Sequence, residues 1–188
     1  QERNGTCVER NMGTPQGGPL SPILANLFLH YALDRWLSVN HPDIPFCRYA
    51  DDGILHCRTE DEANQLREQL AARLQECGLE MHPEKTRIVY CKDSRRKETS
   101  EHISFDFLGY TFRPRRVVDG YGCIRTGFTP AVSQLSLKTM RQSMRRWHLP
   151  LHSELSLADL AWMTAPRVRG WIVYYCRFRG SDFQPVAD

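Results

Sequence analysis

The hydrophobic positions of this chain change period as it proceeds. Ile23, Leu24, Leu27, Phe28 and Tyr31, with Leu33 and Leu37 beyond them, recur at helical spacing. Ser21 suits the N-cap and Pro22 the first helical position, and the helix is expected to end before His41-Pro42. Two short apolar runs follow, residues 45–48 and 53–57. Both are bounded by turn-formers and rich in strand-favouring residues, which predicts a β-hairpin with Asp51 and Asp52 at or near its tip. Thr59 and Glu62 have capping-box spacing. Ala63, Leu66, Leu70, Leu74 and Cys77 then line one helical face, and Gly78 closes it. Residues 79–81 and 86–91 read as short strands flanking His82-Pro83-Glu84-Lys85, and residues 92–100 as a charged loop.

Residues 105–112 are strand-like, with Gly109 marking a bend or a close approach. Three helices are expected after them, over residues 130–149, 156–163 and 166–178, the second capped by Ser156. The first has an apolar set (Leu135, Leu137, Met140, Met144, Trp147) and a basic set (Lys138, Arg141, Arg145, Arg146). The order predicts an α+β fold: an antiparallel sheet with helices on one face, then a small three-helix unit, with the boundary between residues 116 and 128.

Composition sharpens this picture. A length of 188 residues suits one domain, or one with a small companion. No apolar run approaches the roughly 18 residues that span a bilayer, and the first residues do not read as a secretory signal, so a cytoplasmic protein without membrane contact is expected. The seven cysteines are odd in number and lack Cys-x-x-Cys spacing, so they read as reduced and mostly buried thiols. Charge is uneven. Residues 1–91 carry nine Lys and Arg against 13 Asp and Glu (−4), and residues 92–188 carry 16 against nine (+7). A carboxylate-bearing front and a basic back suit a metal site beside a polyanion track, although a basic surface can also be merely solvated.

The candidate chemistry centres on Tyr49-Ala50-Asp51-Asp52. Two adjacent carboxylates resist ionising together unless a cation lies between them. A hard divalent ion with oxygen ligands, Mg²⁺ above all, meets that need and opens two-metal phosphoryl transfer. Asp-Asp-Gly is also good turn chemistry, so a solvated turn stays open as a reading. Gly17 and Gly18 would let backbone approach a ligand closely, with Gln16 offering a donor and an acceptor beside them, and a plain loop-to-helix cap stays open as the other reading. Arg113, Arg115 and Arg116 follow an aromatic strand, which suits a nucleic-acid backbone and equally suits a hairpin with a solvated basic end.

Four segments in this order resemble a reverse transcriptase of the bacterial group II intron-encoded (maturase) family. They are the run from Gly13-Thr14-Pro15-Gln16-Gly17-Gly18 to Ser21-Pro22, then Tyr49-Ala50-Asp51-Asp52, then Gly78-Leu79-Glu80-Met81-His82-Pro83-Glu84-Lys85-Thr86, then Phe107-Leu108-Gly109-Tyr110. Arg169-Gly170-Trp171 with Tyr174-Tyr175 resembles the maturase or thumb segment.

The resemblance implies the C-terminal part of a right-hand polymerase palm over residues 1–116 and a helical thumb over residues 117–188. Asp51 and Asp52 would hold Mg²⁺, with Tyr49 and Ala50 beside the nucleotide and primer end. Gln16 and Gly17 would contact the nascent pair or template. Lys85 would stabilise charge on the leaving pyrophosphate, or protonate it. Phe107, Leu108, Gly109 and Tyr110 would form the primer grip, and Arg141, Arg145 and Arg146 would hold the nucleic-acid backbone. The implied partners are an RNA template, an RNA–DNA duplex, intron RNA and deoxynucleoside triphosphates. The family uses a third aspartate on an earlier palm strand and a fingers region, and neither is recognisable here, so the chain alone is expected not to extend a primer. A splicing factor that binds intron RNA without catalysis, and a remnant of a truncated mobile element, are the alternatives.

Overall fold

The structure, a computed structural model, describes residues 18–96, 98 and 100–179. The chain divides into residues 1–88 and 89–188.

In the first unit, α1 (Ser21–Leu29) runs through a π-helical turn, His30–Asp34, into α2 (Arg35–Asn40). The break before His41-Pro42 is where the sequence puts it. The cap is not: Leu20 holds the N-cap position and Ser21 is already helical, its amide donating to the Gly18 carbonyl at 3.1 Å. The apolar repeat also divides unexpectedly. Leu37 is buried at 1% exposure, whereas Ile23, Leu24, Leu27, Phe28 and Tyr31 remain about half exposed or more.

β1 (Phe46–Tyr49) and β2 (Asp52–Leu55) form the expected antiparallel hairpin, with Tyr49 paired to Asp52. α3 (Glu60–Glu76) begins at Thr59, whose hydroxyl accepts the Glu62 amide at 3.1 Å. It ends in a Schellman motif. Gly78, at φ +71°, donates to Gln75, and Leu79 donates to Leu74. Leu37, Ile44 and Leu66 form the core, with Trp36, Phe46 and Leu55 packed against them.

Residues 79–81 and 86–91 are not strands. Strands need a ladder, and these segments show isolated bonds instead: Thr86 to the His82 carbonyl, a turn, and Tyr90 to the His102 carbonyl at 2.8 Å.

The second unit is a sheet of order β3-β4-β5 (Phe105–Phe107, Tyr110–Val118, Ile124–Val132), antiparallel throughout, followed by two helices. Pro130 belongs to β5 and pairs with Phe112, so the helix expected from residue 130 starts later, at α4 (Gln134–Arg145). β5 is an edge strand, where a missing amide donor is tolerated. Ser133 caps α4 by accepting the Ser136 amide at 3.1 Å. A 3₁₀ turn, Leu149–Leu151, then leads to α5 (Leu157–Arg179).

Two of the three expected helices are thus one. Pro166 removes a helical amide donor at a cost of about 3 kcal/mol in a helix interior. The helix nevertheless continues, because Trp171, Tyr175 and Cys176 beyond the proline pack on the core of Val132, Leu137 and Met140. Ser156 caps α5 as expected: its hydroxyl accepts the Asp159 amide, and the Asp159 carboxylate accepts the Ser156 amide. Those Ser156 contacts hold the Asp159 carboxyl below its ordinary range.

The antiparallel α+β fold is as the sequence reads. The described cysteines are free, but exposed or half-buried rather than buried. Among the described residues no helix is long and apolar enough to cross a membrane.

Candidate functional site

The β1–β2 hairpin turns on two residues, Ala50 and Asp51. Ala50 has φ +53°, a left-handed conformation that costs a non-glycine residue about 1 kcal/mol. Asp51 and Asp52 are both exposed at this end. What holds the turn is Arg48, the residue before the motif. Its Nε and one terminal nitrogen reach the two Asp34 oxygens, each at 2.7 Å. Its other terminal nitrogen reaches the Ala50 carbonyl at 2.7 Å and the Asn26 side-chain oxygen at 2.9 Å. One guanidinium therefore ties the strained carbonyl to α1 and to the π-helical turn, in the planar fork geometry that lysine cannot supply. The Arg48 hydrogen bonds hold the Asp34 carboxyl below its ordinary value, and Asp34 in turn raises the Arg48 pKa. Sequence reasoning missed this brace. The available signal was a cation directly before Tyr-Ala-Asp-Asp, but its partners are 14 and 22 residues away.

Tyr49 is exposed and cross-strand from Asp52, so Tyr49, Ala50, Asp51 and Asp52 are brought together. Lys85 is exposed in a turn outside this hairpin. Gln16 and Gly17 lie outside the described residues. Two adjacent exposed carboxylates fit part of a hard-cation ligand set, with waters or phosphate oxygens supplying the rest. No group of three or more candidate metal-ligating side chains occurs among the described residues.

In the second unit, residues 107–110 form a tight hairpin. Phe107 pairs with Tyr110 across Leu108 (φ +49°) and Gly109 (φ +78°). Two successive positive φ values are the pattern of a type I′ turn. The expected bend is thus a complete reversal, and the expected close approach is real. A Cβ on Gly109 would lie 2.8 Å from Tyr175 Oη and 2.9 Å from Ser136 Oγ. The Gly109 carbonyl accepts from the Ser133 amide (2.9 Å) and Ser136 Oγ (3.1 Å), and the Leu108 carbonyl accepts from Tyr174 Oη (2.9 Å). The Tyr110 hydroxyl donates to the Tyr174 carbonyl. Burial, with Tyr174 and Tyr175 beside it, pushes the Tyr110 phenol up.

On α4, Lys138, Arg141 and Arg145 are exposed at i, i+3 and i+7, one face of the helix, and Arg146 is exposed at its C-cap. An open groove of about 460 Å³ between α4 and α5 is lined by Leu135, Thr139, Met140, Arg167 and Trp171 among others.

Two family models match the chain. The first, reverse transcriptase (RNA-dependent DNA polymerase), covers residues 2–112, more than half of the sequence. The protein therefore belongs to the reverse transcriptase family, and its class is that of RNA-directed DNA polymerases. The second, the maturase-specific domain of group II introns, covers residues 137–187 and makes it a reverse transcriptase of the group II intron maturase type. A search of curated proteins found no match. The family uses Mg²⁺ in catalysis, and its two segments imply RNA substrates and binding of intron RNA.

Proposed function

We propose that Asp51 and Asp52 are the metal-binding carboxylates of RNA-directed DNA synthesis. The observation that carries this reading is their adjacent exposure on a turn fixed by Arg48 within the reverse transcriptase match. Bound there, Mg²⁺ would polarise the primer 3′-hydroxyl and the triphosphate of the incoming deoxynucleotide. The chain's own part is to hold both carboxylates side by side and exposed on the turn. Tyr49 offers an exposed ring to the nucleotide, and Ala50 leaves room beside the primer end. Gln16 and Gly17 contact the nascent pair or the template. Lys85 offsets charge on the departing pyrophosphate. Residues 107–110 grip the primer, and Arg141, Arg145 and Arg146 track the phosphates of the RNA–DNA duplex by charge and shape. Residues 1–116 act as palm and 117–188 as thumb and maturase segment, a division that falls between the two family matches.

A second role, intron RNA binding for splicing, is favoured by the match at residues 137–187 and the basic stripe on α4. Asp52→Ala, placed in a reverse transcriptase that joins this segment to a third aspartate and a fingers region, separates the two roles when cDNA synthesis and splicing are measured side by side with the intron RNA. Loss of cDNA with splicing retained is expected. Unchanged cDNA synthesis would remove the carboxylate assignment. Replacing Arg141, Arg145 and Arg146 together should weaken binding to all RNAs alike and reduce the log–log salt slope by about 3.

A further inference from the structure

We propose that Tyr174 and Tyr175, in the maturase-matching segment, are positioning residues for primer handling: they set the 107–110 turn. The proposal rests on the reading of that turn as the primer grip. Four observations support it.

The turn's two carbonyls are both tied to the helical part of the unit. Tyr174 Oη donates to the Leu108 carbonyl at 2.9 Å, and Ser136 Oγ donates to the Gly109 carbonyl at 3.1 Å. Tyr175 Oη donates to Ser136 Oγ at 3.2 Å, so the second tie is a relay from α5 through α4. The bonding also runs the other way, because the Tyr110 hydroxyl donates to the Tyr174 backbone carbonyl. Finally, the Tyr110 ring lies 5.3 Å from Tyr174, 5.4 Å from Tyr175 and 5.5 Å from Phe178.

The absent Gly109 Cβ is what lets the Tyr175 hydroxyl approach. Leu108, a branched residue at φ +49°, adopts a conformation it would not choose alone. Its carbonyl is pinned by Tyr174 while the residue stays 38% exposed. The brace thus turns polar backbone inward and leaves an apolar tip outward at a defined height. A primer terminus resting on that tip is placed by α5, even though α5 falls in the segment matched to splicing.

The test uses the whole chain and an RNA–DNA hybrid whose primer ends in a photoreactive 4-thiothymidine. Crosslinked peptides are mapped, and hybrid affinity is measured in parallel. The unaltered chain is expected to crosslink within residues 107–110. Tyr174→Phe keeps the ring and removes one hydrogen bond, and should lower that yield about fivefold. Tyr174→Phe with Tyr175→Phe should lower it by about tenfold or more, with hybrid Kd changed by less than about twofold. Tyr121→Phe, at a 93% exposed position, is the control and should leave the yield unchanged. Undiminished crosslinking in Tyr174→Phe overturns the positioning role. A failure of the unaltered chain to crosslink at 107–110 overturns the primer-grip reading instead, so the two failures are distinguishable. Should the double variant not fold, Tyr174→Phe alone decides the matter.

Discussion

The Ala50–Asp51 turn and the Leu108–Gly109 turn are both two residues long and both contain a non-glycine residue at positive φ, yet they are held by different means. The first is exposed and secured by one charged side chain, Arg48, through charge-assisted bonds to Asp34 and the Ala50 carbonyl. The second is secured by neutral hydroxyls and aromatic rings in a space that excludes even a methyl group. A charged clamp leaves the carboxylates beside it accessible to a cation and to substrate. Close packing gives a rigid shelf without chemistry of its own. Each brace suits the task proposed for its turn.

The largest expected effect sets the turns against each other. Gly109→Ala forces a Cβ into the Tyr175 and Ser136 hydroxyls at positive φ, and should destabilise the second unit by about 3 kcal/mol or more. Ala50→Gly should act in the opposite direction, between neutral and about 1 kcal/mol stabilising, because relief of the left-handed strain offsets the added freedom of the unfolded chain. Urea unfolding of each variant gives both signs. Equal losses at the two positions would erase the distinction.

Next in size, Arg48→Met removes both 2.7 Å bonds to the Asp34 carboxylate, leaving it His30 at 3.5 Å, and should cost about 2–3 kcal/mol. Arg48→Lys restores the charge but not the fork, and should recover less than about half of that loss. Full recovery by lysine would mean that charge alone holds the turn.

The smallest effect is the pH dependence that the charged clamp contributes. Asp34 titrates below its ordinary 3.8 when folded, so its stabilisation is complete above that value and is lost as pH falls through the lowered folded value. Acid unfolding should therefore lose this component below about pH 3.8 in the unaltered chain and lack it in Arg48→Met. An identical acid profile in both would contradict the linkage.

Much of this was legible in the sequence because it is local. The β1–β2 hairpin, the Thr59 cap, the Gly78 stop and the Ser156 cap each depend on residues within a few positions of one another. What escaped is non-local or competitive. Arg48 meets Asp34 and Asn26 only once α1 and the π-helical turn are in place, and an extra residue in that turn cannot be read from periodicity. Residues 130–132 look able to start a helix, but β4 recruits them as its ladder partner. Pro166 looks like a boundary between two helices, but packing of the residues beyond it on the core prevails. The apolar set at 23–31 predicts burial, yet the first unit builds its core around Leu37 instead. Of the candidate site, the carboxylate pair at a hairpin tip was readable; at 107–110 only a bend or close approach at Gly109 was, not the reversal, and neither brace was.

The most direct measurement is residue-resolved NMR broadening on titration with Mn²⁺ as a paramagnetic stand-in for Mg²⁺. The account predicts that the amides of Ala50, Asp51, Asp52 and Gly53 broaden first, and that Asp51→Asn with Asp52→Asn removes the effect. Broadening that survives this double substitution, or that spreads evenly over exposed carboxylates such as Glu60 and Asp61, would contradict it.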